Sequence, residues 1–196
     1  MYPSDAQPPA VGEGWLCLPQ LRNEETAGAV FGDGSHPTTR LCAGALDLLC
    51  RQLRPASVLD VGTGTGVLAR IARARGAQFV VGTDIDPLAL ACAEAHSALD
   101  AHEVRIHFSS EPPDRWGAAF ELVAANILEG PLSDLAPALV RALRPGGTLI
   151  LSGFTRPQVP ALRVLYERKG VVFAGSAYLE DWALLRFQCA PVQCAC

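Results

Sequence analysis

Lysine is almost missing from this 196-residue chain. Lys169 stands alone, and arginine supplies the rest of the 16 basic side chains against 20 acidic ones. The resulting charge of −4 leaves no basic stripe to neutralise phosphates, which argues against a directly read nucleic-acid partner. It is compatible with a cationic substrate. No apolar run reaches the length of a membrane span. The first ten residues hold prolines and an aspartate rather than a basic segment leading into an apolar one, so no secretory signal is read there. Regular cysteine spacing is also lacking. Cys17, Cys42, Cys50 and Cys92 lie in apolar surroundings, the pattern of buried thiols and not of a disulfide framework. Cys189, Cys194 and Cys196 lack a fourth partner for a metal, so no metal is expected. The cytoplasm is the expected compartment. Internal repeats and a second domain are absent from the pattern.

What remains is a chain 49% hydrophobic and 18% charged, enough for one folded domain with a substantial core. Residues 1–14 read as a flexible lead-in, 15–188 as the domain and 189–196 as a cysteine-bearing tail. Within the domain, Trp15 to Leu18 reads as a short strand. A helix is expected from about Thr39, capped by a threonine, to Leu53. Strands at 57–61, 79–83, 104–108, 120–124 and 148–151 alternate with helices that begin near 67, at Pro87 and at Pro131, the last of them kinked or divided by Pro137. Residues 144–147 read as a turn. A helix over about 158–169 precedes strands near 171–179 and 182–188. This βαβ alternation implies a mostly parallel sheet covered by helices on both faces.

The most informative stretch is Val58-Leu59-Asp60-Val61-Gly62-Thr63-Gly64-Thr65-Gly66, followed a strand later by Thr83-Asp84-Ile85-Asp86. A strand, a glycine turn and a helix start form a nucleotide-cofactor layout. A dinucleotide fingerprint would place its third glycine at position 67, which is Val67; here it comes at Gly66. Asp60 at the strand end would repel a pyrophosphate and attract a cation. S-adenosylmethionine carries an ammonium and a sulfonium, so the charge pattern favours it over NAD. Gly62, Gly64 and Gly66 would let the backbone approach the cofactor, and Asp84 would accept its ribose hydroxyls. Asn126, after the fourth apolar strand, would accept hydrogen bonds from an attacking amine and align its lone pair. Ile127, Leu128 and Glu129 after it supply no platform for a flipped base. His36 is a candidate base for removing an ammonium proton, or else a hydrogen-bonding residue of its glycine loop. Asp33 reads as a turn aspartate that would otherwise attract a cation. His96, His102 and His107 fall beside no motif.

Taken together, Phe31-Gly32-Asp33-Gly34-Ser35-His36-Pro37-Thr38-Thr39, the Gly62 turn, Thr83 to Pro87, Ala125-Asn126-Ile127-Leu128-Glu129-Gly130-Pro131-Leu132 and Leu151-Ser152-Gly153 resemble the PrmA family. These bacterial methyltransferases act on amino groups of a large-subunit ribosomal protein. The resemblance covers about residues 15 to 188. It implies an α/β, class I methyltransferase (Rossmann-like) fold, a seven-stranded mostly parallel sheet with its last strand antiparallel. It also implies that Thr39, Gly62, Asp84 and Asn126 contact the cofactor, with Phe31, Thr38 and Gly64 close by. Lysine and N-terminal amines would be the acceptors. Asp33 replaces the loop's usual threonine, and Ser109-Ser110 stands where an acid often holds the adenine amine, which adds Ser110 to the cofactor set. The family's separate docking domain has no counterpart in the fourteen lead-in residues. The expected activity is therefore amine methylation of a protein or of a small molecule, with a non-catalytic cofactor-binding module as the alternative. A monomer is compatible with this pattern, and nothing in it fixes the oligomeric state.

Overall fold

The computed structural model describes residues 34–100 and 105–190. The expected strand at Trp15, the loop residues Phe31 and Asp33, His102, and Cys17, Cys194 and Cys196 lie outside them. The order is α1 (Pro37–Leu53), β1 (Ser57–Val61), α2 (Val67–Ala74), β2 (Phe79–Thr83), α3 (Pro87–Ala98), β3 (Ile106–Ser109), β4 (Phe120–Asn126), α4 (Glu129–Ala142), β5 (Leu143–Thr155), α5 (Val159–Glu167), β6 (Val171–Leu179) and β7 (Trp182–Cys189). The strands form one sheet in the order β3-β2-β1-β4-β5-β7-β6. All pairings are parallel except those of β7, which runs antiparallel to both β5 and β6.

Side-chain alternation along the strands divides the core in two. Val58, Val80, Leu122, Ala124 and Ile150 face α1 and α2, where Leu41, Leu46, Leu68 and Ile71 meet them. The intervening residues Leu59, Val81, Val123, Leu149 and Leu151 face α4 and α5, packing on Leu132, Leu139, Leu162 and Tyr166. Because both faces are covered, these strands are nearly continuous apolar runs. Chain order reverses direction across the sheet between β1 and β4. Their carboxyl ends therefore open a crevice at a switch point, and it is there that the glycine turn and Asn126 emerge.

Several boundaries differ from those expected. α1 begins at Pro37, and its cap is His36 instead of a threonine: His36 Nδ1 accepts from the Thr38 N–H at 3.3 Å. α4 starts at Glu129, which places Pro131 within the first turn, where a missing N–H costs no helical bond. It then continues as one helix through Pro137, so Pro137 does not divide it. Residues 144–147 do not reverse the chain but form an irregularity inside β5, between the pairs Phe120–Leu143 and Leu122–Thr148. β7 runs through Cys189, one residue past the expected end of the domain. α3 starts as expected, Asp86 Oδ1 accepting from the Leu88 N–H at 2.9 Å. α2 is tied to Asp100, two residues past the end of α3, by Arg70, whose Nε and Nη2 both donate to it at 2.7 Å.

Tyr166 is fully buried and donates its hydroxyl to the Leu132 carbonyl of α4 at 2.7 Å. This bond couples α5 to the helix that follows Asn126. Removing it in Tyr166→Phe leaves a buried acceptor one donor short. Urea unfolding is expected to show a loss of about 1–2 kcal/mol.

Candidate active site

A cleft of about 720 Å³ opens over the carboxyl ends of β1, β2 and β4. His36, Thr38, Gly62, Gly64, Asp84, Ser110 and Asn126 all line it, so one depression gathers most of the residues singled out in the sequence. The glycine turn forms one wall. Gly62, Gly64 and Gly66 have φ of 71°, 53° and 81°, a left-handed region that side chains disfavour. The Gly62 and Thr63 N–H groups donate to the Thr83 carbonyl at 2.8 and 2.9 Å, which ties the turn to the end of β2. A Cβ built on Gly62 would lie 2.1 Å from Ile127 Cγ2, so no other residue fits there.

Asp84 follows Thr83 at the rim. Its Oδ2 accepts from the Gly64 N–H at 3.0 Å and its Oδ1 from the Asp86 N–H at 3.1 Å. These bonds fix the carboxylate plane, and each oxygen keeps a second lone pair for a ligand hydroxyl.

Asp60 does not line the cleft. It is 1% exposed and lies behind the turn, where its Oδ2 accepts from Thr63 Oγ1 at 2.7 Å and from the Ala69 N–H at 3.2 Å. The carboxylate thereby fastens the glycine turn to the first turn of α2, and its contacts are with protein rather than with the cleft surface. Its Oδ1 is buried without a hydrogen-bond partner. Burial pushes its carboxyl up to about 6 against the pull of the Thr63 and Ala69 hydrogen bonds, and the nearby Asp84 charge adds to the rise. Gly66 also lies back from the cleft, as the N-cap of α2, with Ala93 of α3 against it.

Asn126 ends β4. Its Nδ2 donates to Thr39 Oγ1 at 3.4 Å, while its Oδ1 is buried and unpartnered. Thr39 is 1% exposed and does not line the cleft, so its contact is with Asn126 and Thr38 is the threonine that faces the opening. His36 lines the cleft beside Trp182, their ring centroids 4.8 Å apart in an edge-on arrangement. His36 Nδ1 is engaged by Thr38 twice, 3.3 Å from its N–H and 2.8 Å from its Oγ1. Taking a substrate proton at Nδ1 would uncap α1. The geometry favours the hydrogen-bonding reading of His36 over the general base.

Sequence reasoning missed four residues here. Ile127 wedges against Gly62, Trp182 backs His36, and Glu111 lines the rim next to Ser110. His96, expected beside no motif, holds Nδ1 3.1 Å from the Thr65 carbonyl of the glycine turn. Gly82 was a usable signal, since a glycine inside a strand marks a close approach: a Cβ there would lie 2.8 Å from Phe108 and Thr63. Among the described residues no group of three or more His, Cys, Asp or Glu is placed to hold a metal, and no helix is long and apolar enough to cross a membrane.

Residues 23–189 match the family model described as Ribosomal protein L11 methyltransferase (PrmA). The chain belongs to the PrmA family. It is 40% identical over 166 residues to the ribosomal protein L11 methyltransferase of Hydrogenovibrio crunogenus, an alignment that covers 82% of this chain and 53% of that protein. With the enzyme of that name from Methylobacillus flagellatus it shares 41% over 159 residues, covering 81% and 52%. The chain thus spans about half the length of these PrmA relatives. In structure it is similar to ribosomal protein L11 methylase from Lactobacillus delbrueckii subsp. bulgaricus, with a TM-score of 0.73, 30% identity, and coverage of 82% of this chain and 81% of that one. The likeness to the N-methyltransferase NodS from Bradyrhizobium japonicum, at 15% identity and a TM-score of 0.61, establishes the class I methyltransferase fold alone.

The buried Asp60 sets a pH dependence. Its folded-state value lies above its ordinary value of 3.8, so the folded protein keeps this proton longer than the unfolded chain. The stability it confers is therefore full below about pH 4 and lost as pH rises through about 6. Asp60→Asn keeps an acceptor for Thr63 and Ala69 and removes the buried charge. It is expected to stabilise the protein at pH 8 by on the order of 2–3 kcal/mol, with the gain vanishing toward pH 4. Thermal unfolding across that range checks this, and a pH-independent difference would contradict it.

Proposed function

We propose that this chain is an S-adenosylmethionine-dependent methyltransferase whose acceptor is an amine nitrogen, and that the amine belongs to a protein, as the names of its PrmA relatives suggest. The observation that carries the reading is the buried, unpartnered Oδ1 of Asn126 beside the glycine turn. A hydrogen-bond acceptor desolvated at that point calls for an N–H or O–H donor, which an attacking amine supplies.

The residues present fit the cofactor. Side chains are excluded at Gly62, the paired oxygens of Asp84 suit two ribose hydroxyls, and the carboxylates of Asp60 and Asp84 suit a cation better than a pyrophosphate. When bound, S-adenosylmethionine supplies a methyl group activated by its sulfonium. Gly62 and Gly64 would carry the backbone past it, with Thr38 and Ser110 on the flanking walls. Asn126 would accept the amine N–H and direct the nitrogen lone pair, and alignment of this kind provides much of the acceleration in an in-line displacement. With Nδ1 engaged, His36 would orient the loop around Thr38. Neither reactant is a nucleic acid in this reading. A cytoplasmic setting accords with Cys42, Cys50, Cys92 and Cys189 all being free thiols.

Two variants separate binding from catalysis. Asp84→Ala is expected to weaken calorimetric binding of S-adenosylhomocysteine by about tenfold or more, the scale of losing hydrogen bonds to a charged group, while NAD does not compete for the site. Parental affinity in this variant would remove the ribose assignment. Asn126→Ala is expected to keep that affinity within a few-fold and to lower methyl incorporation far more. Cofactor binding without any methylated amine product would leave a non-catalytic module instead.

A further inference from the structure

Ile127 occupies an unusual place between two glycines far apart in sequence, one in a turn and one in a strand. A Cβ on Gly62, in the turn after β1, would lie 2.1 Å from its Cγ2; one on Gly153, in β5, would lie 2.2 Å from its carbonyl oxygen and 2.9 Å from its nitrogen. Both glycines are in the left-handed region, with φ of 71° and 98°. The side chain of Ile127 is thus lodged against the turn while its backbone is seated on the bend of β5. It also packs on the core cluster under α4 and α5 and lines the cleft. The backbone of its neighbour Asn126 pairs with Ser152 of β5, but among the described residues its side-chain amide makes one hydrogen bond, a long one to Thr39 at 3.4 Å. That bond alone holds an amide weakly.

We propose that Ile127 is a positioning residue: wedged between Gly62 and Gly153, it sets where the Asn126 amide stands relative to the glycine turn. The inference rests on the amine-methyltransferase reading and adds to it. Asn126 would touch the acceptor and Gly62 the cofactor. Ile127 is the part whose volume fixes the distance between them, and truncating it would leave space into which the Asn126 loop relaxes. Because β-branching restricts its χ1, the wedge has few alternative shapes, and valine preserves most of it.

The test uses the 15N-labelled full chain, with the Asn126 side-chain amide pair identified by its disappearance in Asn126→Ala. In Ile127→Ala this pair is expected to shift or split, both free and with S-adenosylhomocysteine. Calorimetric affinity for that ligand should stay within about threefold of the parent, a change worth about 0.6 kcal/mol, and Ile127→Val should restore a single pair near the parental position. With ribosomal protein L11 as acceptor, kcat is expected to fall by about tenfold or more with a smaller change in KM, since misplacement of this kind costs rate more than binding. An amide pair unmoved in Ile127→Ala overturns the proposal. So does an affinity loss that matches the fall in kcat, which would make Ile127 a wall of the cofactor cleft. Should the alanine variant not fold, Gly153→Ala carries the same comparison: a displaced Asn126 amide pair is expected there, and an unmoved one overturns the proposal. A parent protein that binds no S-adenosylhomocysteine refutes the methyltransferase reading, while the ligand-free spectra still decide on Ile127.

Discussion

The absence of a side chain at Gly62 is the constraint on which the rest of the site depends. With φ at 71°, the backbone turns sharply out of β1, and its N–H joins that of Thr63 on the Thr83 carbonyl. One glycine thereby brings three strand ends together: its own, that of β2 carrying Asp84, and that of β4 carrying Asn126 through the Ile127 contact. A methyl group at this point would separate the turn from the Asn126 loop by more than either could absorb. The parallel order of β2, β1 and β4 makes the convergence possible, because the three carboxyl ends lie side by side.

Charge is arranged around that turn in two layers. Asp84 sits at the rim with both oxygens oriented by backbone N–H groups. Asp60 lies behind the turn, almost fully buried, with one oxygen unsatisfied. Keeping a carboxylate there is costly for folding, as its raised value near 6 indicates. The cost becomes intelligible if the turn receives a cationic ligand, which lowers the energy of both carboxylates at once. Hydrogen bonds to Thr63 and Ala69 give Asp60 a second task, fixing the turn to α2.

Much of this was legible in the sequence. The run from Val58 to Asp60 and the alternate glycines marked a strand and its turn, since an apolar stretch ending in glycine has few other readings. Asp86-Pro87 marked α3 through cap chemistry. The start of α1 was misread because histidine is an uncommon cap, and its Nδ1 contact with Thr38 has no pattern in one dimension. The irregularity in β5 was read as a turn because proline and two glycines ordinarily reverse a chain; here the flanking residues still pair with β4. Asp60 was placed in the cleft from its position at the strand end and Thr39 through the family resemblance, whereas burial puts both one layer behind it. The wedge of Ile127 involves residues 62, 127 and 153, a separation that only the folded sheet brings together.

The central claim is that this cleft transfers a methyl group to an amine. The most direct test incubates the chain with S-adenosylmethionine carrying a labelled methyl group and purified ribosomal protein L11, then locates the label by peptide mass spectrometry. Label on a lysine side chain or the N-terminal amine of L11, lost with Asn126→Ala, is the predicted result. Label confined to oxygen or carbon atoms, or label on nitrogen that persists without Asn126, would contradict the account.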